Sequence, residues 1–273
     1  MTLIRVSRNE AFALVRDGFV ILTGYDEKPA ERARSCFAEV LEVFGAESLR
    51  RFQFEHERRP DGVREPDDGF LDWTRETELK KDRKFAFHYR PDLRKKMDAV
   101  RWKSGEEAKY CLSRLLNLSA AVYNHHSEIA MAVLTAVDAL ELMSVCFADE
   151  LKKALVAPAP TSRSVVRFLY YPESSGNEKA KVHYDRSLLT LHSGDEGGSL
   201  FAVSNGHERV ISPRPGELLV FWGSKASRLA TKHGAKLKAL AHGARAREGE
   251  VRQAVVSFWH NNDVLWDAEP VTM

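Results

Sequence analysis

The sequence has little of what marks a secreted, membrane-bound or nucleic-acid-binding protein. Its 273 residues include only three cysteines, Cys36, Cys111 and Cys146, an odd and widely spaced set that fits neither a disulfide framework nor a cysteine-based zinc site. Lys and Arg number 41 against 39 Asp and Glu, so no charge excess favours nucleic acid or an anionic membrane. We therefore expect a cytoplasmic protein with a small-molecule partner and with neither nucleic acid nor membrane as partner; oligomeric state is left open.

Long apolar runs are also missing. The longest, from Ile129 to Val137, is about half of the ~20 residues that a membrane span requires. The first residues reach Arg8 and Glu10 without a long apolar stretch, so no signal peptide is expected. No internal repeat is visible, and 44% hydrophobic residues in a chain of this length can bury a sizeable core.

Residues 1–160 are predicted to form a mainly helical region with one early strand. Ser7 and Glu10 have the spacing of a capping box, which predicts a short helix ending at Gly18 and followed by a buried strand, Phe19–Thr23. Apolar residues recur at helical spacing from about 29 to 46 and from about 104 to 155. The stretch from 47 to 103 is charged and irregular, and we interpret its basic residues as a solvated face rather than a nucleic-acid surface.

Residues 161–273 are predicted to form a β core on which the helical region packs as one compact unit and contributes to the substrate pocket. The boundary is the segment Ala157–Pro160, which cannot continue a helix. Turn signals every ten or so residues after it are typical of an antiparallel sandwich or barrel. The predicted strands are Val165–Tyr171, Val182–His192, Ser199–Val203, Glu208–Ile211, Glu217–Trp222, Lys236–His242 and Val251–Trp259.

His183 and Asp185 are two positions apart in a predicted strand, so their side chains are expected on one face. An imidazole and a carboxylate so placed can bind one metal ion, and His242 from a later strand would add a second imidazole. A set of two histidines and one carboxylate suits non-heme Fe(II), because it leaves coordination positions open. Alone, a His-x-Asp triplet is weak evidence, and a structural histidine–aspartate pair is the competing interpretation.

Arg252 lies at the start of the strand that follows His242. A hairpin between the two strands would bring the Arg252 guanidinium, which can bind a carboxylate through two hydrogen bonds, towards the same end of the barrel as His242.

Other residues compete for these roles. His233 is an alternative to His242, but it lies in a predicted loop and lacks an arginine at a matching distance. His125 and His126 are helical neighbours whose side chains diverge by about 100°, so a metal pair is not expected. For Arg167 and Arg186, binding of an acidic substrate and a structural ion pair both stay open.

Five sequence blocks between about residues 163 and 260 occur in a specific order and spacing. They are Arg167–Pro172 with its Tyr-Tyr-Pro end, His183–Asp185, Gly197–Leu200, Pro215–Val220, and His242 followed by Arg252–Phe258. In these blocks the chain resembles the isopenicillin N synthase-like and plant-type 2-oxoglutarate/Fe(II) dioxygenases. The likeness is looser in the N-terminal half.

The resemblance implies an α+β fold with a double-stranded β-helix (jelly-roll) core flanked by N-terminal helices. It implies that Fe(II) is bound by His183, Asp185 and His242. It further implies that Arg252 holds the carboxylate of 2-oxoglutarate, assisted by Tyr171 or, if the register slips by one, by Tyr170. With O2 as co-substrate, the expected activity is hydroxylation, desaturation or ring closure of a small organic substrate.

One departure from the family pattern concerns residue 254. The family's Arg-x-Ser is here Arg252-Gln253-Ala254, and the missing hydroxyl removes a hydrogen bond to 2-oxoglutarate worth ~1 kcal/mol. An Fe(II) oxidase of the isopenicillin N synthase type, which uses O2 without 2-oxoglutarate, therefore stays an alternative; there Arg252 and Tyr171 would bind the substrate's own carboxylate. A non-catalytic binding domain on the same scaffold is the remaining alternative.

Overall fold

Two antiparallel sheets form the centre of the molecule. The computed structural model describes residues 4–54, 68–73, 84–100, 106–141, 149, 164–173, 178–196, 198–204, 206–246 and 249–260. The strands are β1 Phe19–Thr23, β2 Gln53–Phe54, β3 Asp68–Asp72, β4 Phe85–Tyr89, β5 Val165–Tyr171, β6 Glu178–Tyr184, β7 Leu189–Glu196, β8 Gly198–Ser204, β9 His207–Val210, β10 Glu217–Trp222, β11 Ala241–Ala246 and β12 Arg252–Trp259. The helices are α1 Arg8–Asp17, α2 Lys28–Leu49, α3 Leu93–Asp98, α4 Glu106–Asp138 and α5 Ser224–Lys232, with a 3₁₀ turn at Arg50–Phe52.

The strands divide into a major and a minor sheet. The major sheet has eight strands in the order β1-β10-β7-β12-β5-β4-β3-β2, and the minor sheet has four in the order β6-β11-β8-β9. Leu219 and Phe221 of β10 pack against Leu200, Ala202 and Ala244 of the minor sheet. The major sheet therefore has an inner face, towards the minor sheet, and an outer face.

The outer face of the major sheet is covered by helices. Phe37 and Val40 of α2 share a buried cluster with Phe168 of β5 and Val255 of β12, to which α4 also contributes. Side chains alternate between the two faces of a strand. The residues before and after each helix-packing residue therefore have their side chains on the inner face. This alternation decides which residues of β5, β7 and β12 face the space between the sheets.

The predicted N-terminal elements are confirmed. The Ser7 hydroxyl accepts from the Glu10 amide while the Glu10 carboxylate accepts from the Ser7 amide, and Gly18 ends α1 with φ 86°. Strand β1 then pairs with β10, Phe19 opposite Phe221. Strand β1 thus forms one edge of the major sheet, next to β10.

Between 47 and 103 the structure corrects the sequence interpretation. Strands β3 and β4 extend the major sheet, with β4 paired to β5, and Phe87 and Tyr89 are buried. Lys84 and Arg90 are only 9% and 2% exposed, so they do not belong to a solvated face. Burial of Arg90 is offset by an ion pair with the equally buried Asp68, a compensation that composition does not reveal.

Four further differences affect the β core and its surroundings. The predicted strand Val182–His192 is two strands, β6 and β7, in different sheets, and β11 begins only at Ala241. Helix α5 was not predicted. Helix α4 is continuous from 106 to 138, whereas helical spacing continues to about 155, and residues 142–148 and 150–155 lie outside the described part of the chain. The predicted boundary at Ala157–Pro160 lies outside the described residues, and the division at 160 stays a prediction. None of the described helices is long and apolar enough to cross a bilayer.

A buried polar link ties the helices to the major sheet. The His126 ring on α4 lies 2.7 Å from the Tyr25 hydroxyl through Nε2 and 2.5 Å from Ser257 Oγ of β12 through Nδ1. Burial lowers the pKa of His126 to about 3. The imidazole is therefore neutral in the folded protein over the range in which an unfolded histidine, with a pKa near 6.5, becomes protonated.

We expect this link to make stability depend on pH. Below about pH 6.5 the unfolded chain binds a proton at His126 that the folded chain does not, so stability falls as pH falls, by up to about 1.4 kcal/mol per pH unit from this residue. His126→Gln should show a shallower decline in urea unfolding of the metal-free protein between pH 7 and 5. The exposed His207→Gln serves as control; equal slopes for the wild type and His126→Gln would contradict the prediction.

Candidate metal centre

Three side chains with metal-binding atoms converge between the two sheets. His183 is in β6, Asp185 directly follows that strand, and His242 is in β11, opposite His183 in the strand pairing. One ligand atom from each lies within 4.8 Å of the others. The Asp185 Oδ1 atom lies 3.4 Å from His183 Nε2 and 3.8 Å from His242 Nε2. The sequence therefore selected three residues that the fold brings together.

The route to this convergence differs from the predicted one. The chain leaves the minor sheet after Tyr184 and enters the major sheet at Leu189, so His183 and Asp185 do not share one continuous strand. This break resets the alternation of faces. Thr190, predicted to face away from Asp185, donates from Oγ1 to Asp185 Oδ2 at 2.9 Å. The Ser224 amide at the start of α5 donates to the Asp185 carbonyl at 2.7 Å, which fixes the backbone at the break.

Both histidines are oriented by backbone carbonyls. His183 Nδ1 lies 2.7 Å from the Lys181 carbonyl, and His242 Nδ1 lies 3.1 Å from the Leu240 carbonyl. With Nδ1–H donating to each carbonyl, Nε2 keeps its lone pair and faces Asp185. A hydrogen bond of this kind fixes the tautomer and the ring orientation of a metal-ligating histidine.

The surroundings set the protonation states of these groups. Burial raises the pKa of Asp185, but the His242 charge and the hydrogen bonds from His183 and Thr190 outweigh it, so the pKa lies below the usual range. Burial lowers the pKa of His242. At His183 burial also lowers the pKa, but the hydrogen bond and charge of Asp185 prevail and raise it, so protons compete with a metal for this imidazole as pH falls.

A second polar centre lies further along the inner face of the major sheet. Arg252 is 1% exposed and opposite Tyr171 in the β12–β5 pairing, with its guanidinium carbon 5.0 Å from the centre of the Tyr171 ring. The expected hairpin between His242 and Arg252 is absent, because β11 and β12 belong to different sheets. Tyr170, the other tyrosine considered, is opposite Gln253 and packs against Phe85, away from Arg252.

Sequence reasoning missed the acidic partner of Arg252. The Asp195 Oδ1 atom accepts from Arg252 Nε at 2.7 Å and from Nη2 at 2.6 Å. Burial lowers the pKa of Arg252, but the Asp195 charge and its hydrogen bonds outweigh burial and raise it. The guanidinium is thus balanced by a carboxylate that is itself fully buried.

A β-bulge at Gly194 places Asp195 in this position. In the β12–β7 pairing Val255 is opposite Ser193 while Ala254 is opposite Asp195, so Gly194 is an extra residue. Gly194 has φ 61°, and a Cβ there would lie 2.1 Å from Arg34 Nη1. Without the bulge, alternation would turn Asp195 outward. The positive φ and the close approach of Arg34 favour glycine at this position. Glycine also occurs in ordinary turns, so the sequence alone did not reveal the bulge.

The side chains of the two centres fit Fe(II) and 2-oxoglutarate, the groups that the resemblance implies. Two neutral imidazole nitrogens and a carboxylate oxygen match the ligands of non-heme Fe(II), and half of the His183 side chain is open to solvent. Arginine has five N–H donors, and two of those of Arg252 are used by Asp195, so the guanidinium keeps donors for a further carboxylate. His233, the competing ligand, caps the end of α5 outside the converging group.

Metal binding separates the two candidate histidines. His242→Ala removes one of three ligand atoms, and we expect at least a 100-fold loss of affinity for Fe(II) or Co(II), measured by titration under argon. His233→Ala is the matched control and should bind metal like the wild type. Unchanged metal affinity in His242→Ala would contradict its assignment as a ligand.

Comparison with known proteins places this geometry in a family. Residues 162–261 match the model of the 2OG-Fe(II) oxygenase superfamily. No curated protein sequence matches the chain. Among solved structures, a rice dioxygenase for auxin oxidation is 17% identical, with 94% of this chain and 80% of that chain covered and a TM-score of 0.62.

Two further structures agree in fold. Dioxygenase for auxin oxidation 1 from Arabidopsis thaliana, solved with 2-oxoglutarate, is 18% identical over 94% of this chain and 90% of that one, with a TM-score of 0.56. A Caulobacter crescentus protein assigned to the 2OG-Fe(II) oxygenase family is 21% identical over 93% and 81%, with a TM-score of 0.63. The predicted α+β jelly-roll fold is thereby confirmed. Residues 162–261 match the 2OG-Fe(II) oxygenase superfamily, and they contain the three side chains that fit Fe(II) and the arginine that fits 2-oxoglutarate.

Proposed function

We propose that this enzyme couples the consumption of 2-oxoglutarate and O2 to hydroxylation, desaturation or ring closure of a small organic acid. The observation that carries the proposal is the pairing of two centres on facing sheets, His183, Asp185 and His242 at one and Arg252 with Tyr171 at the other. One centre has the ligands of iron, and the other has the guanidinium that a dicarboxylate requires.

Each group has a defined task in this proposal. His183, Asp185 and His242 hold iron, and Thr190 keeps the Asp185 carboxylate in place. Arg252 and Tyr171 bind the distal carboxylate of 2-oxoglutarate. Bound iron would supply the activation of O2, with 2-oxoglutarate as the two-electron reductant that leaves as succinate and CO2. Asp185, His242, Arg252 and Tyr171 are buried, which limits the access of water to these groups, whereas His183 is half exposed.

A second candidate is an oxidase of the isopenicillin N synthase type, in which Arg252 and Tyr171 bind a carboxylate of the substrate. Two features favour it: Ala254 lacks the hydroxyl of the family pattern, and Asp195 already balances Arg252. Both features weaken the attraction of Arg252 for 2-oxoglutarate without removing its donors. A cytoplasmic location, expected from cysteine usage, stays a prediction.

The proposal that the substrate is an acid rests on two cationic side chains beside the Trp73 ring. Lys84 Nζ lies 5.1 Å from the ring centre of Trp73 and 5.4 Å from that of Tyr171. Its charge opposes the rise in the pKa of His183 that Asp185 causes. Arg167 lies 5.6 Å from the Trp73 ring and donates to His88. Two cations against one indole suit a substrate with a carboxylate and a flat apolar body.

The cofactor requirement is tested by spectroscopy and product analysis. We expect a visible charge-transfer band when 2-oxoglutarate meets the Fe(II)-loaded enzyme under argon, and succinate formation once O2 is admitted. His242→Ala should show neither. Absence of both signals in the wild type would eliminate the 2-oxoglutarate mechanism and leave the oxidase.

The substrate class is tested with matched acids and amides. Succinate release should be stimulated by arylacetic acids such as phenylacetate, and not by the corresponding amides, because the amide lacks the charge that Lys84 and Arg167 attract. Lys84→Met should raise KM for the acid by about 10-fold, with KM for 2-oxoglutarate unchanged. Equal stimulation by acid and amide would contradict an acidic substrate.

A further inference from the structure

His192 is a buried polar residue for which neither the metal centre nor the Arg252 centre accounts. Its side chain is 3% exposed, and its Nε2 atom has no hydrogen-bond partner among the described residues. A buried polar atom without a partner is costly and therefore uncommon in native proteins. In the sequence, His192 has no partner residue at a spacing typical of metal ligands.

Strand pairing places His192 between the two centres. On β7 it is opposite Leu219 of β10 and Val256 of β12, so its side chain is on the inner face of the major sheet. Thr190, two residues earlier on the same face, binds Asp185. Asp195, returned to this face by the Gly194 bulge, binds Arg252.

The electrostatic surroundings agree with this placement. The charges that act on His192 are those of Asp195 and Arg252 on one side, and of His242 and Asp185 on the other. Burial lowers the pKa of His192 to about 4, so the ring is neutral near pH 7. A neutral imidazole offers one N–H donor without adding a charge to the pocket.

His192 also neighbours the position at which the family pattern is broken. Ala254 is opposite Asp195, and Val256 is opposite His192, so Ala254 and His192 are diagonal neighbours on one face of adjacent strands. Such pairs have Cα atoms about 7–8 Å apart, within reach of a long side chain. Ala254 is fully buried and presents only a methyl group. The position that lacks the family hydroxyl, residue 254, and the nitrogen without a partner, His192 Nε2, therefore border the same part of the pocket.

We propose that His192 Nε2–H donates to the distal carboxylate of 2-oxoglutarate and takes the place of the hydroxyl that is absent at position 254. This inference rests on the use of 2-oxoglutarate proposed above. Because Asp195 already balances Arg252, the incoming carboxylate needs donors beyond the guanidinium, and His192 supplies one from the neighbouring strand β7.

Direct binding measurements test the proposal. 2-Oxoglutarate is titrated calorimetrically into Fe(II)-loaded protein under argon, for the wild type, His192→Leu and His192→Gln. Loss of a hydrogen bond to a carboxylate should weaken binding about 10- to 100-fold in the leucine variant. Glutamine places an amide N–H near the position of Nε2 and should recover most of that loss. Affinity for Fe(II) alone should be unchanged in both variants.

Two comparisons identify the contacted group. 2-Oxopentanoate has the same carbon chain without the distal carboxylate, so its binding should be the same in the wild type and in His192→Leu. Adding Ala254→Ser to His192→Leu should restore part of the affinity for 2-oxoglutarate, because it returns the family hydroxyl to the same carboxylate.

A purely structural role for His192 predicts different results. Metal-free His192→Leu should melt at the same temperature as the wild type or higher, because it removes an unpartnered buried polar atom. A lower melting temperature with unchanged 2-oxoglutarate affinity would overturn the proposal, and so would equal losses for 2-oxoglutarate and 2-oxopentanoate. If the wild type binds no 2-oxoglutarate, the proposed function fails as well; if it binds and His192→Leu binds equally, only the role of His192 fails.

Discussion

The alternation of side chains between the two faces of a strand is the constraint on which this site depends. Regular alternation brings Arg252 and Tyr171 to the inner face of the major sheet, and helix-packing residues to the outer face. Two interruptions complete the site. The break after Tyr184 directs Asp185 towards His242, and the bulge at Gly194 directs Asp195 towards Arg252.

The sequence predicted the chemistry of the site better than its geometry. His183, Asp185 and His242 were predicted correctly as a group that converges. Their residue types and their order along the chain can be recognised without knowing which sheet each strand joins. Strands β5 and β10 were predicted with the observed bounds because their runs are apolar and end at prolines or glycines. The strand break and the missing hairpin were not predictable, since both depend on which sheet each strand joins.

Other parts of the site became visible only with burial and register. Strand β4 was missed because its flanking residues, Lys84 and Arg90, are charged yet buried, a state that ion pairs and ring contacts make tolerable. Asp195 and His192 have no diagnostic spacing in the sequence. Their importance comes from the residues opposite them on β12, and a one-residue change in register would have turned both away.

The ion pair between Arg252 and Asp195 has a consequence for the enzyme between turnovers. An arginine buried without a counter-charge would draw in water or distort the strands around it until a ligand arrived. Here the counter-charge belongs to the fold, so the pocket is preorganised, and loading or release of a ligand requires little rearrangement of the barrel. The same pair sets a limit, because a ligand must share the guanidinium with a resident carboxylate. One contact thus both stabilises the buried guanidinium and competes with any ligand for it.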